Sequence, residues 1–199
     1  ELAMLKRAKQ LMPDASLFYR RRADNVGRKA GNIEEWVRRW GGAYDAMVVL
    51  DADSVMEGGT IRHLADEMAS DPTVGLIQTV PRLIKTNTLF GRLQQFATAA
   101  YGQTLARGFA SWFSGESNYW GHNAIIRTRA FATSAGLPNL KGTGPFGGVV
   151  MSHAFVEAAL LRRAGGQVRL MTALGGSSEA TPATLTAHVV REQQRCHDN

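Results

Sequence analysis

The sequence predicts an α/β fold in which helices flank a mostly parallel β-sheet. Three observations support this class. Short apolar runs, typical of strands, alternate with longer segments whose apolar residues recur at helical spacing. The clearest run, residues 47–50, has no alternating polar residue, as in a strand covered on both faces of a parallel sheet. Polar residues follow that run at once, at the strand end where open α/β sheets bind ligands.

The elements before this strand follow from local pattern. Apolar spacing predicts helices over residues 1–12 and from about 32 to 40, the second ended by a glycine pair. Residues 17–19 are predicted as a short strand and residues 20–29 as a basic loop. The first sixty residues would therefore contain part of a βαβ crossover.

After the strand, the same criteria predict a further series of elements. They are helices over 60–70, 88–109, 129–134 and 155–164, strands over 74–79, 124–126 and 168–171, a glycine-rich loop over 136–148 and a linker over 175–182.

Two carboxylates, Asp51 and Asp53, follow the predicted strand at spacing i, i+2. Strand periodicity would direct both side chains to one side. Paired oxygen ligands suit a hard divalent cation, which often bridges to substrate phosphates. The alternative is that the two aspartates only form a turn and cap the next helix.

Two other segments could bind ligands. Residues 27–32 combine two glycines with Lys29, which favours an anion at a helix N-terminus, although a solvated basic loop explains them equally well. Residues 116–123 combine carboxylate, amide, imidazole and indole groups suited to carbohydrate. The alternative is that Trp120 is a core residue and His122 a buried structural histidine. His153, at the start of the last predicted helix, could act as a base or be structural.

Composition narrows the classes of partner. The chain has 199 residues, 44% of them hydrophobic and 20% charged, which excludes a disordered polar chain. Its net charge of +6 favours an anionic partner such as a nucleotide, nucleic acid or a membrane surface. A single cysteine, Cys196, excludes an internal disulfide and is compatible with a reducing compartment. No run reaches the length of a membrane-spanning helix, and no signal peptide is expected.

Several runs of residues, in this order, resemble the family 2 glycosyltransferases with the GT-A fold. Within that family they are similar to the bacterial synthases that build the backbone of osmoregulated periplasmic glucans. The resemblance extends over roughly residues 19–170. The runs are RKAGN at 28–32, VVLDADS at 48–54, GLIQT at 75–79, LQQF at 93–96, NYWGHNAIIR at 118–127 and FVEAALLRRAG at 155–165.

The resemblance implies a GT-A fold with a Rossmann-like sheet, here expected to lack the first nucleotide-binding strand. It implies an inverting glucosyltransferase that uses UDP-glucose, a divalent metal (Mg²⁺ or Mn²⁺) and a growing glucan acceptor. It places the full-length protein at the cytoplasmic face of the bacterial inner membrane, held by flanking segments outside this chain. We expect a partial GT-A domain over 1–172 and a diverged C-terminal segment or linker over 173–199.

The resemblance also assigns roles to particular residues. It implies that Asp53 binds the metal and the diphosphate. It implies that four residues bind the nucleotide-sugar: Lys29, Asn32, Asp51 and Asp53. On the acceptor side it implies Gly121, His122 and Asn123.

The chain departs from the family pattern at three places. Ala154 occupies the position of the family's general base, an aspartate, and alanine cannot accept a proton. Where paired glutamates are expected, only Glu179 remains, followed by Ala180. The C-terminal motif ends at Gln193 to Cys196 without its tryptophan.

Three hypotheses therefore stand. The first is a glucosyltransferase domain, and the second is an inactive relative that binds a nucleotide-sugar or a partner. The third, a nucleic-acid module based on the arginines at 20–22, is disfavoured because no recognition helix or RNA-binding signature accompanies them. Steep salt dependence of oligonucleotide binding, unaffected by Asp53→Ala, would favour it.

Overall fold

The computed structural model describes residues 2–134, 139–140, 148–149 and 153–197. Its helices are α1 (Leu2–Leu11), α2 (Arg28–Trp40), α3 (Gly58–Ser70), α4 (Leu89–Ala97), α5 (Gln103–Phe113), α6 (Thr128–Ser134), α7 (His153–Arg163) and α8 (Leu185–His197). A 3₁₀ turn covers Gly41–Ala43 and a π-helical segment covers Thr98–Gly102. The strands are β1 (Ala46–Val49), β2 (Val55–Met56), β3 (Val74–Thr79), β4 (Arg82–Ile84), β5 (Ala124–Arg127), β6 (Asn139–Leu140), β7 (Gly148–Val149), β8 (Gln167–Met171) and β9 (Ser177–Ala180).

A four-stranded sheet in the order β1-β5-β3-β8 forms the centre. Strands β1, β3 and β8 run in one direction, and β5 runs antiparallel to both of its neighbours. The α/β class is therefore confirmed, with one reversed strand in the sheet. Among the described residues β1 is an edge strand, and its residues alternate between buried and half-buried. The prediction that residues 47–50 form a strand covered on both faces was wrong.

Helices cover both faces of the sheet. On one face, Trp36 of α2, Phe131 of α6 and Leu161 of α7 pack with the inward side chains of the strands. On the other face, Leu64 and Met68 of α3 do the same. This layered burial holds the carboxyl ends of β1 and β3 in fixed positions at one edge.

A second, three-stranded sheet in the order β2-β9-β4 lies beyond these strand ends. Strand β9 pairs antiparallel with β2 and parallel with β4. The prediction of a linker over residues 175–182 was therefore wrong for 177–180, because these residues complete a sheet. The proposed domain boundary at residue 172 stays a prediction.

The N-terminal region differs from the sequence-based prediction in two ways. Among the described residues, no strand pairs with residues 17–19, so the predicted βαβ crossover is not formed there. Helix α2 begins at Arg28 rather than near Asn32, because Gly27 supplies a left-handed N-cap with a φ of 66°. Helix α3 likewise begins at Gly58, so its glycine pair lies inside the first turn.

The long helix predicted over 88–109 is present as α4, the π segment and α5, with Gly102 in the π segment. Most of the predicted loop over 136–148 lies outside the described residues, although β6 and β7 pair antiparallel. Among the helices that the structure describes, none is long and apolar enough to cross a bilayer.

Candidate functional site

The two aspartates lie in a turn rather than on a strand. Strand β1 ends at Val49, and the Ser54 N–H donates to the Asp51 carbonyl at 3.0 Å. The Asp51 N–H in turn donates to Ser54 Oγ at 3.2 Å. Strand alternation therefore does not set the directions of Asp51 and Asp53, contrary to the prediction. The turn leaves Asp53 exposed and Asp51 half-buried.

Lys29 and Asp51 form an ion pair, although 22 positions separate them in the chain. Lys29 lies in the first turn of α2, and Asp51 lies in the turn after β1. The structure thus brings together two of the residues that the sequence assigned to one site.

This ion pair lies at the wall of a cavity of about 940 Å³ between α2 and the edge of β1. We call it the arginine cavity. Among the described residues that line it, Asp51 is the one carboxylate, and Asn32 also contributes to the wall. The cationic lining residues are Arg20, Arg21, Arg22, Arg28 and Lys29. Such a surplus of positive charge attracts an anionic ligand.

Two of these arginines also hold the 20–29 loop onto α2. Arg20 Nη1 and Arg22 Nε lie 3.2 and 3.1 Å from the two carboxylate oxygens of Glu35. Arg22 further donates to the Arg28 carbonyl at 3.0 Å, and Arg20 donates to the Asn32 carbonyl at 2.8 Å. These intramolecular contacts explain part of the basic cluster without nucleic acid.

The Gly121–Asn123 segment is fixed by the end of β3. The buried Gln78 amide donates to the His122 carbonyl at 3.0 Å and accepts from the Trp120 N–H at 2.9 Å. Thr79 Oγ1 donates to the Asn123 carbonyl at 2.6 Å. The segment needs this support because Gly121 and Asn123 have positive φ angles of 90° and 50°.

The Asn123 side chain joins three elements of the site. Its amide nitrogen donates to Ser177 Oγ of β9 at 2.9 Å and to the Ser178 carbonyl at 3.3 Å. Its amide oxygen accepts from the Ser54 hydroxyl in the aspartate turn. Asn123 is fully buried, so these bonds form away from water. Asn123 thus links the aspartate turn to the second sheet.

His122 lies beside a carboxylate from β9. Its Nε2 atom is 3.4 Å from Glu179 Oε2, and its Nδ1 atom is 3.0 Å from Asn123 Oδ1. The predicted linker therefore carries Glu179 into the site. Of the paired glutamates that the family pattern predicts, this chain keeps the one that contacts His122.

Ala154 packs against the same segment. It is buried at the second position of α7, and a Cβ built on Gly121 would lie 3.4 Å from the Ala154 Cβ. The position where the resemblance expects a carboxylate therefore adjoins the predicted acceptor residues, and here it presents only a methyl group.

The same helix places a carboxylate in the interior. Glu157 is buried, and its Oε2 lies 3.1 Å from His153 Nδ1. Burial raises the pKa of Glu157, while His153 and Lys29 lower it in part. Burial also raises the pKa of Tyr119, and the charges of Glu157 and Asp51 add to that shift. Among the described residues the Tyr119 hydroxyl has no hydrogen-bond partner.

The candidate ligands for a metal are the two carboxylates of the turn. The described residues contain no cluster of three or more histidine, cysteine or acidic side chains that could hold a metal alone. Mg²⁺ is commonly bound by one or two carboxylates plus water and substrate phosphates. Asp53 and Asp51, exposed and half-buried beside the arginine cavity, fit that kind of site.

Sequence patterns assign no functional role to several residues of the site. Gln78 and Thr79 were part of a recognised run but had no assigned role, and Ser177 fell in the predicted linker. From sequence alone, a buried glutamine or threonine that supports a loop cannot be distinguished from any other polar residue at the end of a strand. The side chains beyond Gln193, including Cys196, lie outside the described residues.

Comparison with known proteins identifies the class to which this arrangement belongs. The model of the glycosyl transferase family group 2 matches residues 46–195, from the start of β1 into α8. The match covers about three quarters of the 199 residues, and the chain belongs to this family.

Curated relatives share a more specific name. The chain is 57% identical over 183 residues to the glucans biosynthesis glucosyltransferase H of Xylella fastidiosa, covering 92% of this chain and 29% of that protein. It is 52% identical over 199 residues to the protein of the same name from Shewanella baltica, covering 100% of this chain and 27% of that protein. The chain thus spans less than a third of the length of these relatives.

Proposed function

We propose that this chain is the sugar-transfer domain of a glucan synthase, which moves glucose from UDP-glucose to a growing β-glucan with inversion. The observation that carries the proposal is the Lys29–Asp51 ion pair at the wall of the arginine cavity. The names of the relatives supply the sugar and the product class.

On the donor side, the cavity would take the nucleotide diphosphate. Lys29 contributes a point charge toward the phosphates, and Asn32 and Asp51 offer polar groups to the nucleotide. Asp53, with Asp51 nearby, would hold Mg²⁺ or Mn²⁺. When bound, such an ion supplies Lewis-acid neutralisation of charge on the departing diphosphate.

On the acceptor side, the site of the acceptor sugar would be lined by Gly121, His122 and Asn123. In inverting transfer the acceptor hydroxyl oxygen forms a bond to the anomeric carbon while the bond from that carbon to UDP breaks. The hydroxyl proton must pass to a base, and general-base catalysis contributes about 10²–10⁴-fold. Ala154 cannot take that proton, so we expect turnover by this chain to be at or near background.

The second candidate is an inactive relative that binds nucleotide-sugar or a partner protein. It is favoured by one observation, the methyl group of Ala154 against Gly121 in an otherwise hydrogen-bonded acceptor side. An inactive relative that binds nucleotide-sugar shares donor binding with the first candidate and differs from it in transfer, whereas a relative that binds a partner protein need not bind the donor. For the full-length protein we propose the cytoplasmic face of the bacterial inner membrane.

Calorimetric titration of UDP-glucose tests the shared part of both candidates. We expect binding with Mn²⁺ or Mg²⁺ and at least about a tenfold loss of affinity in EDTA or in Asp53→Asn, since a bridging cation is removed. The matched control is Asp66→Asn, an exposed carboxylate on α3 outside the cavity wall. Equal affinity with metal and with EDTA would exclude a metal-dependent donor site.

A further inference from the structure

A small cavity of about 260 Å³ lies between β4, α5 and the connection from β8 to β9. We call it the small basic pocket. It shares no lining residue with the arginine cavity. Among the described residues that line it, none is acidic and none is aromatic. The lining side chains that carry nitrogen or oxygen are Arg82, Gln103, Arg107, Thr172 and Ser177.

The two arginines of this pocket come from different elements. Arg82 is the first residue of β4, and Arg107 lies one helical turn after Gln103 on the same face of α5. Within the part of the chain that the structure describes, neither guanidinium group forms an ion pair or a hydrogen bond. In the arginine cavity, by contrast, two arginines are paired with Glu35. The small basic pocket therefore carries two positive charges that no described carboxylate compensates.

The inner wall of the pocket is fixed by buried hydrogen bonds. Ser177 is 1% exposed, and its hydroxyl oxygen lies 2.8 Å from Thr79 Oγ1. The same oxygen accepts from the Asn123 amide at 2.9 Å. In the connection before it, the Gly175 carbonyl accepts from Thr60 Oγ1 at 2.8 Å. The wall is therefore formed before a ligand arrives, which lowers the cost of ordering the site on binding.

The size and the chemistry of the pocket together indicate the class of ligand. Drug-sized ligands occupy cavities of about 300–1,000 Å³, so this pocket suits a smaller group. Arginine binds carboxylate and phosphate oxygens through charge-assisted hydrogen bonds, which are often bidentate. The described lining has no carboxylate that would repel an anion. It also has no aromatic ring on which a sugar could stack, so a small anion fits it better than a sugar does.

We propose that the small basic pocket binds a phosphate-type oxyanion, with Arg82 and Arg107 as its cationic ligands. The Gln103 amide and the Thr172 hydroxyl belong to the same wall and can donate to further oxygens of the anion. This site is additional to the proposed donor site. Strand β1 borders the arginine cavity and β8 leads into the small basic pocket, and these two strands are the opposite edges of the central sheet. The proposal therefore does not depend on glucosyl transfer.

Titration with inorganic phosphate, followed by nuclear magnetic resonance of the arginine Nε–H groups, tests the inference on this chain. Phosphate replaces chloride at constant ionic strength, so that general screening of charge stays fixed. We expect the Nε–H signals of Arg82 and Arg107 to shift together and to give one Kd. Arg82→Gln and Arg107→Gln identify the two signals. Each variant should weaken phosphate binding at the remaining arginine by about tenfold, because a charge-assisted hydrogen bond is lost.

The matched control is Arg62→Gln, which removes an exposed arginine of α3 that lines neither the small basic pocket nor the arginine cavity. Its Kd for phosphate at the pocket should equal that of the parent chain, and circular dichroism should show that all variants fold alike. Lys29→Met separates the two cavities, because Lys29 lines only the arginine cavity. The shifts of the Arg82 and Arg107 signals should persist in that variant.

Several outcomes would overturn the proposal. They are the absence of any shift at Arg82 and Arg107, shifts that Lys29→Met removes, and equal affinities in the pocket variants and the control. Shifts caused by a soluble glucan oligosaccharide but not by phosphate would overturn it in favour of a neutral sugar. Because UDP-glucose binding is measured separately by calorimetry, failure here leaves the proposed donor site untouched, and failure of the donor site leaves this pocket untouched.

Discussion

The donor side and the acceptor side of the candidate site are held by different forces. On the donor side, charged groups meet at a partly exposed cavity: Lys29 with Asp51, and two arginines with Glu35. On the acceptor side, neutral groups meet in the interior around the fully buried Asn123, and the contact of His122 with Glu179 lies beside them. We expect changes in charge to act mainly on the first arrangement and changes in shape to act mainly on the second.

This difference shows which function each side can keep when a residue changes. The proposed donor side offers summed positive charge, so we expect it to retain anion binding as long as most of its cations remain. The proposed acceptor side would position a sugar through the fixed backbone and would then need one base. We expect Ala154, which packs against Gly121, to leave that positioning intact and to remove only the proton acceptor.

The largest expected effect comes from restoring the missing carboxylate. In the full-length protein, Ala154→Asp should raise glucose transfer by about 10²–10⁴-fold, because a general base is supplied beside Gly121. Release of UDP from UDP-glucose in the presence of glucan measures the rate. Ala154→Asn is the control, with the same size and no base. Equal rates in the two variants, or high turnover by the parent protein, would show that another group accepts the proton.

The second largest effect is on the stability of the acceptor side, through the buried hydrogen bonds of Asn123. Asn123→Ala should lower the free energy of unfolding by about 2–4 kcal/mol, because Ser54 and Ser177 lose a buried hydrogen-bond partner. Urea unfolding measures the change. Asn123→Gly removes the same side chain but tolerates the φ of 50° and should be about 1 kcal/mol less harmful. A loss below 1 kcal/mol in both variants would mean that the network contributes little.

Much of this architecture could be predicted from sequence because local pattern determines it. The helical spacing in α3, α4 and α5 and the apolar runs of β3, β5 and β8 each identify an element without knowledge of its neighbours. Lys29 and Asp51, which the resemblance assigned to one nucleotide-sugar site, also contact each other, and their role there stays a prediction.

The wrong predictions share a physical cause. In each case the structure of a segment depends on partners that are distant in sequence. Residues 177–180 fall in the run 175–182, whose glycine, serine and proline residues are typical of a linker, yet they pair with β2 and β4. Residues 17–19 have strand composition but no partner strand, and Arg20 and Arg22 hold the loop that follows them onto α2 instead. A buried amide such as Gln78 is recognisable only once the loop it supports is known.

A smaller effect is expected from one charge on the donor side. Lys29→Met should weaken UDP binding by about tenfold, because a cation at the cavity wall is lost and Asp51 remains unpaired near the phosphates. Calorimetry at fixed metal concentration measures the affinity. Arg38→Met alters an exposed cation of the same helix outside the cavity wall, so its affinity should match the parent's. If both variants bind alike, general charge rather than Lys29 attracts the nucleotide.

The smallest effect is a pH dependence at Glu157, which lies between the two sides. Burial raises its pKa above the ordinary value of 4.5, partly offset by His153 and Lys29, so the folded chain binds this proton more tightly than the unfolded chain does. Stability from Glu157 should therefore fall as the pH rises from 4.5 through the folded-state pKa, and it should be level at higher pH.

Glu157→Gln keeps the shape of the side chain and removes this titration. Urea unfolding across that pH window should show the variant losing less stability than the parent as the pH rises. His153→Gln, measured alongside, removes the neighbouring imidazole, and Tyr119 and Asp51 are unchanged in both variants. A parent chain that instead gains stability over the variant as the pH rises would mean that His153 and Lys29 outweigh burial, and that Glu157 is held as an anion.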